Sequence, residues 1–206
     1  MRAWIWVGLL LFAGVPALAA PVKARAPARA AVPTTVVAFT GWIPIFFGMG
    51  DSGVVRMVED LKERGITAEV HDPAHWSSVG AELVGPRRPP GPVVLVGYSM
   101  GAGAVTQLAA VLGQAGIPVR ALIVLEAYNP TPVPGNVGAV THYYTTSSAT
   151  PMVPGPGYGG AIQNIDLRGR VSGIESYDHV GMSKLKAVQD IVVGDVVRYA
   201  KTGGRR

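Results

Sequence analysis

Short apolar runs alternate with longer stretches of helical spacing along most of this chain. Thr35–Phe39, 93–96 and Val119–Leu125 are continuous apolar or β-branched runs, typical of strands buried on both faces. Strands that alternate with helices predict a single α/β domain with a mostly parallel sheet of about six strands and helices on both faces. The other predicted strands are 67–70, 139–145 and 161–167, and the predicted helices are 51–64, 74–84, 102–115 and 183–199.

The predicted helix over 51–64 has its own end signals. Asp51 or Ser52 is expected to be its N-cap, and Gly65 its C-terminal glycine. The string Gly50-Asp51-Ser52-Gly53 also resembles the serine motif of trypsin-like proteases and the Gly-Asp-Ser motif of one class of esterases. The partner residues of those classes are missing here, so we assign this serine no catalytic role.

The ends of the chain differ in composition from its body. Residues 1–19 read as a signal peptide, with Arg2, an apolar core and the cleavage pattern Ala17-Leu18-Ala19. An uncleaved anchor is the alternative. Residues 20–33 are an Ala/Pro-rich tether, 34–200 the predicted domain and 201–206 a basic tail. The absence of cysteine fits an exported bacterial protein, periplasmic or secreted.

The net charge of +5 comes from these ends. All 13 acidic residues but only 11 of the 18 basic residues lie between Thr34 and Ala200. The body is therefore nearly neutral, which argues against a nucleic-acid surface. The basic tails are the only segments that could contact anionic lipid or cell wall, and solvated tails are the favoured interpretation. The oligomeric state is left open.

The pattern Gly97-Tyr98-Ser99-Met100-Gly101 stands between a predicted strand and a predicted helix. This is the context of a G-x-S-x-G nucleophile elbow, in which a sharp turn projects the serine hydroxyl from the sheet edge. The glycines two positions away leave room for that turn. Ser99 is thus the predicted nucleophile. The alternative is a glycine-rich turn without chemistry, or one that binds phosphate.

The order of these parts resembles the α/β-hydrolase fold. The elbow follows the strand equivalent to that fold's fifth, and Thr40-Gly41-Trp42 stands where the fold has its first oxyanion loop. His179 lies after the last predicted strand, where the family has its histidine. The chain is similar to small exported serine hydrolases of the esterase, lipase and thioesterase kind. The short, proline-rich link between Leu125 and Ala139 leaves no room for a lid domain.

The resemblance implies a Ser-acid-His order along the chain. His179 is the expected base, whereas His142 is expected to be half-buried inside a strand. No Asp or Glu lies between Glu126 and Asp166, so the family's usual acid position is empty. Glu126, at the end of the preceding strand, is the favoured acid. Asp166 is the alternative, and Asp178 ranks lower because it adjoins His179.

Backbone amides of Met100 and Trp42, or else Ile43, are the expected oxyanion donors. The apolar side chains around Trp42 predict an acyl or aromatic pocket, with core packing as the alternative. No cofactor motif is present, and His71 and His75 lack a third ligand, so neither a cofactor nor a metal is expected. The other residues of the predicted pocket are Ile43, Phe46, Phe47 and Met49.

Together these features predict a serine hydrolase that cleaves a small-molecule or lipid ester or thioester through an acyl-enzyme. A catalytically silent binding protein with the same fold remains the alternative, because fold does not determine function. An amidase or acyltransferase with the same triad is a further alternative.

Overall fold

The computed structural model describes residues 33–41 and 52–201. These residues belong to one compact unit. The predicted signal peptide, nearly all of the predicted tether and the basic tail beyond Lys201 lie outside the described residues. So do Asp51 and the segment that contains Trp42, Ile43, Phe46, Phe47 and Met49.

Six strands form one all-parallel sheet in the order β2-β1-β3-β4-β5-β6. The predicted fold class, a parallel α/β sheet of six strands, is confirmed. The predicted and observed bounds agree to within two residues at each strand end. The strands are β1 (Thr35–Phe39), β2 (Ala68–His71), β3 (Val93–Tyr98), β4 (Val119–Leu125), β5 (Ala139–Tyr144) and β6 (Ala161–Asp166).

Four α-helices in the described part of the chain cover the two faces of this sheet. They are α1 (Gly53–Glu63), α2 (Trp76–Val84), α3 (Gly101–Gln114) and α4 (Lys186–Lys201), with short 3₁₀ turns at Pro73–His75, Ile174–Ser176 and Met182–Lys184. Because strand side chains alternate in direction, β1 contributes Val36 and Ala38 to the core under α1 and α4. It contributes Val37 and Phe39 to the core under α2 and α3.

The helix ends follow the sequence signals in part. Ser52 is the N-cap of α1, and its hydroxyl accepts a hydrogen bond from the Val54 N–H at 3.3 Å. Gly65 follows the helix with a φ of 76°. The last helix begins at Lys186 and not at Ser183, because Met182–Lys184 form a separate 3₁₀ turn and Leu185 after it is extended.

The connection between β4 and β5 contains no helix within the continuously described stretch 52–201. None of the helices in the described part of the chain is both long and apolar enough to cross a bilayer. The carboxyl ends of β1, β3, β4 and β5 meet at one edge of the sheet, where ligands bind in folds of this kind. The residues that follow these four strands are therefore brought together.

The start of α1 packs against the loop before α4. A Cβ atom added at Gly53 would lie 1.8 Å from the Ser183 carbonyl oxygen, whereas one added at Gly194 on α4 would meet nothing within 4 Å. We therefore expect Gly53→Ala to lower the free energy of unfolding by about 2 kcal/mol or more. Gly194→Ala should raise it by about 1 kcal/mol, because alanine is the better helix former.

Urea denaturation of the two variants beside the wild type measures both effects. Equal stability of the two alanine variants would contradict the close approach of α1 to Ser183.

Candidate active site

Ser99 stands at a sharp turn between β3 and α3. Its φ of 54° is in the left-handed region, which side chains other than glycine rarely adopt. The turn leaves no room on either side: a Cβ at Gly97 would lie 2.6 Å from the Gly101 carbonyl oxygen, and one at Gly101 would lie 2.5 Å from that of Phe39. The two glycines of the motif are therefore required by backbone contacts.

The turn is also held by backbone hydrogen bonds to β4 and the residues after it. The Ser99 N–H donates to the Leu125 carbonyl at 2.9 Å, and the Tyr128 N–H donates to the Ser99 carbonyl at 3.1 Å. These two hydrogen bonds hold Ser99 in its left-handed backbone conformation, which a serine would otherwise leave for a less strained one.

The Ser99 hydroxyl lies beside the imidazole of His179. Ser99 Oγ is 2.7 Å from His179 Nε2, across 80 residues of sequence. His179 lies in the loop between β6 and α4, and about a third of its side chain is exposed. The distance suits a hydroxyl that donates to an unprotonated ring nitrogen.

The other ring nitrogen of His179 faces a buried carboxylate. His179 Nδ1 is 3.4 Å from Glu126 Oε2, a long hydrogen bond of the kind found in active sites without substrate. Glu126 directly follows β4, is fully buried and has a φ of 45°. With the proton on Nδ1, the ring donates to Glu126 and accepts from Ser99.

Two threonines after β5 surround the Glu126 carboxylate. Oε1 accepts hydrogen bonds from the Thr145 hydroxyl at 2.7 Å and the Thr146 N–H at 3.2 Å, and also from the Thr145 N–H. Oε2 accepts from the Thr146 hydroxyl at 2.6 Å. Burial alone would raise the pKa of Glu126, but the hydrogen bonds from His179, Thr146 and Thr145 outweigh it and lower the pKa to about 2. Glu126 is thus an ionised carboxylate at neutral pH.

The loop that carries His179 is fixed by Tyr98, the residue before the serine. The Tyr98 hydroxyl donates to the His179 carbonyl and, at 3.2 Å, to the Val180 carbonyl. Its ring stacks on the His179 imidazole with centroids 5.8 Å apart. Burial raises the pKa of the Tyr98 hydroxyl, which therefore stays a donor. The loop also folds around Asp178, whose Oδ1 accepts from the Val180 and Gly181 N–H groups.

His142 holds the backbone next to Glu126 in place. It is fully buried, where half-burial was expected, because Ala127 and Asn164 cover both of its ring nitrogens. The Ala127 N–H donates to Nε2 at 3.1 Å, and Nδ1 donates to Asn164 Oδ1 at 2.9 Å. Burial lowers the pKa of His142 against the opposing effect of Asn164, so the ring stays neutral. His142 thereby fixes the position of Ala127, the residue that follows Glu126.

The remaining candidates lie elsewhere or outside the described residues. Asp166, the alternative acid, is paired with Arg168 at the surface. Met100 is the N-cap of α3, so its N–H has no acceptor within the helix. The backbone of Trp42, the second predicted oxyanion donor, is not described. Within 33–41 and 52–201, no three His, Asp or Glu side chains are grouped closely enough to hold a metal ion.

Sequence reasoning missed the residues that hold the site together. Thr145 and Thr146 fall in a Thr/Ser tract without a recognisable pattern, and His142 and Asn164 are single residues on two different strands. Tyr98 had one signal, its place inside the elbow motif. None of these residues has a spacing that predicts its partner.

No family model and no curated protein sequence matches this chain significantly. Among solved structures, RedJ with a polyethylene glycol molecule in its active site superposes with a TM-score of 0.50 at 15% identity, covering 85% of this chain and 98% of RedJ. A candidate hydrolase of the alpha/beta superfamily from Xanthomonas campestris pv. campestris gives a TM-score of 0.45 at 15% identity, over 81% of this chain and 99% of that one.

The chain has the α/β-hydrolase fold. Its six-stranded parallel sheet, the helices that cover it and the serine turn between β3 and α3 are those of this fold. At 15% sequence identity, the likeness to RedJ shows a shared fold and carries no information about a shared activity.

The low pKa of Glu126 links stability to pH. Its folded-state pKa of about 2 lies below its ordinary value of 4.5, so the carboxylate stabilises the fold fully above pH 4.5 and loses that effect as pH falls towards 2. The difference corresponds to ~3 kcal/mol. We expect Glu126→Gln to be less stable than the wild type at pH 7, and the gap to narrow between pH 4.5 and pH 2.

Urea denaturation at several pH values measures this gap. Asp166→Asn, which removes an exposed acid, should change the unfolding free energy by less than about 1 kcal/mol throughout. A gap for Glu126→Gln that does not depend on pH would contradict an ionised Glu126.

Removing the Tyr98 hydroxyl should loosen the histidine loop. Tyr98→Phe keeps the ring but leaves the His179 and Val180 carbonyls without their shared donor, so we expect a loss of about 1–2 kcal/mol in unfolding free energy. Amide hydrogen exchange should accelerate between Asp178 and Met182. Tyr158→Phe, which loses a single bond from a partly exposed hydroxyl to the Ala161 carbonyl, is the matched control. Unchanged exchange in the loop would show that Tyr98 does not hold it.

Proposed function

We propose that this protein is a serine hydrolase that cleaves an ester or thioester through an acyl-enzyme. The observation that supports this proposal is the chain of contacts from Ser99 Oγ to His179 Nε2 at 2.7 Å and from His179 Nδ1 to Glu126 Oε2 at 3.4 Å. A serine hydroxyl is a weak nucleophile, and a base in contact with it is what makes it reactive.

In the first step Ser99 Oγ attacks the carbonyl carbon while its proton passes to His179 Nε2. The buried carboxylate of Glu126 stabilises the imidazolium that forms and does not itself take the proton. The tetrahedral intermediate then expels the alcohol or thiol, which takes the proton from Nε2. The product of this step is an acyl group on Ser99 Oγ.

The oxyanion of the intermediate needs donors that are in place beforehand. The Met100 N–H at the beginning of α3 suits this role, because the first amides of a helix have no partner within it and carry the positive end of its dipole. We propose the Trp42 backbone amide as the second donor.

In the second step water replaces the alcohol. His179 Nε2 takes a proton from the water, whose oxygen attacks the acyl carbon. The new intermediate collapses, Ser99 Oγ takes back its proton, and the free carboxylic acid leaves. An amine or a second alcohol in place of water would make the same site an acyltransferase.

We also propose that the chain is exported and that its substrate is a small molecule or lipid. The signal-like residues 1–19 and the absence of cysteine support export. The near-neutral body supports a substrate that is not a nucleic acid.

A fluorophosphonate probe tests for an activated serine. We expect the purified mature protein to be labelled and Ser99→Ala not to be, because the probe reacts with a serine that a base has activated. The labelled protein should also hydrolyse p-nitrophenyl acetate, with loss of that activity in Ser99→Ala. A folded wild-type protein that takes no label would favour the silent binding protein.

The acid is tested on the same substrate. Glu126→Gln should lower kcat by about 10³- to 10⁴-fold, because the imidazolium loses its stabilising charge. Asp166→Asn is the matched control and should stay within about 2-fold. A larger loss in Asp166→Asn than in Glu126→Gln would reassign the acid.

A further inference from the structure

A groove begins beside the serine turn and follows the first two turns of α3. Its volume is about 310 Å³. Met100, Gly103, Ala104 and Gln107 line one side, and these positions share one face of the helix. Two lining residues contact the serine turn, because Met100 directly follows Ser99 and the Tyr128 N–H donates to the Ser99 carbonyl at 3.1 Å.

The groove and His179 lie on different sides of the sheet. Ala104 belongs to the core under α2 and α3, whereas Tyr98, which holds the His179 loop, belongs to the core under α1 and α4. In the proposed reaction His179 protonates the leaving alcohol, so the alcohol lies on the histidine side. The groove is then left for the acyl group.

The groove walls are apolar or uncharged with one exception. Pro73 and Trp76 line the side opposite α3, and Tyr128 lines the end near Ser99. Asp72 is the single carboxylate among the described lining residues, and no lysine or arginine is among them. Its Oδ1 accepts a hydrogen bond from the Ala74 N–H and caps the short turn there. A polyanionic group therefore has no positive partner in the groove.

The rim of the site is apolar as well. Five large apolar side chains are exposed among the described residues, and four of them lie next to the reactive groups. Met100 and Tyr128 flank the serine turn, and Tyr177 and Val180 flank His179. Exposed apolar side chains grouped around a reactive centre indicate an apolar ligand.

The groove has the size of a medium-length chain. From Met100 to Gln107 the helix rises ~10 Å, at 1.5 Å per residue. The floor is open because Gly103 and Ala104 are small. A Cβ at Gly103 would make ordinary contacts, 3.5 Å from the Asn129 carbonyl oxygen and 3.9 Å from Gln107 Nε2.

We infer that this groove is the acyl site and that the substrate is an ester of an uncharged, medium-chain acyl group. Gly103 is then the residue that determines acyl length. The inference rests on the proposed serine hydrolase and adds to it the substrate class and the position of the acyl chain.

The test compares p-nitrophenyl acetate with p-nitrophenyl octanoate, which differ in the acyl group alone. The wild type should favour octanoate in kcat/KM. Gly103→Leu should lower the octanoate-to-acetate ratio by about 10-fold or more, since its side chain fills the groove. Fluorophosphonate labelling of Gly103→Leu checks that its Ser99 is still activated, so that the ratio is measured on a competent enzyme. Gly103→Ala, a smaller change, should give an intermediate ratio.

Gly194→Leu is the matched control, because Gly194 is exposed on α4 with nothing within 4 Å of its Cβ position. Its ratio should equal that of the wild type. A second series, methyl acetate against octyl acetate, varies the alcohol instead and should respond equally in wild type and Gly103→Leu.

The outcomes separate the two proposals. If the wild type is labelled and hydrolyses acetate but neither Gly103 variant changes the acyl ratio, the acyl site is wrong and the hydrolase stands. A change confined to the alcohol series overturns the acyl assignment in the same way. If the folded wild type neither takes the label nor hydrolyses any ester, both proposals fall.

Discussion

The buried carboxylate of Glu126 is the interaction on which the rest of the site depends. A charge at this depth is unfavourable unless hydrogen bonds replace its lost water, and the two threonines after β5 together with His179 supply them. The same bonds connect the ends of β4 and β5 to the histidine loop. The carboxylate therefore orients the imidazole and also joins three separate stretches of chain, and its low pKa follows from the same contacts.

A second constraint is the crowded turn at Ser99. The turn needs two glycines because main-chain atoms of α3 and β1 lie where side chains would be. Its hydrogen bonds to Leu125 and Tyr128 tie it to the end of β4, directly beside Glu126. Ser99 and Glu126 are thus positioned by the same pair of neighbouring strands, whereas His179 comes from a distant loop that Tyr98 holds from inside the elbow. This division explains why a short chain without a helix between β4 and β5 can still assemble the three groups.

Much of the fold was predictable because buried parallel strands are apolar throughout and their helices have a clear period. The alternation predicted six strands and four helices, and all are present.

Ser99, His179 and Glu126 were named from the elbow motif and from their places relative to the strands, and the structure brings them into contact. The predicted start of α4 at Ser183 is wrong because Met182–Lys184 form a separate 3₁₀ turn and Leu185 after it is extended. The burial of His142 was underestimated because Asn164, on the neighbouring strand β6, covers it.

The sequence by itself determined the class of fold, the position of the serine turn and the order of the reactive groups, since these depend on local periodicity and on the space that glycine leaves. The tertiary structure alone decided what surrounds those groups. Thr145, Thr146 and Tyr98 acquire their roles from partners 19 to 82 residues away, and such distances leave no local pattern. The groove along α3 arises in the same way, from a helix face, a turn after β2 and a loop after β4 that meet only in the folded chain. Local sequence patterns specify the strands and helices, whereas packing between these elements specifies which side chains surround Ser99, His179 and Glu126.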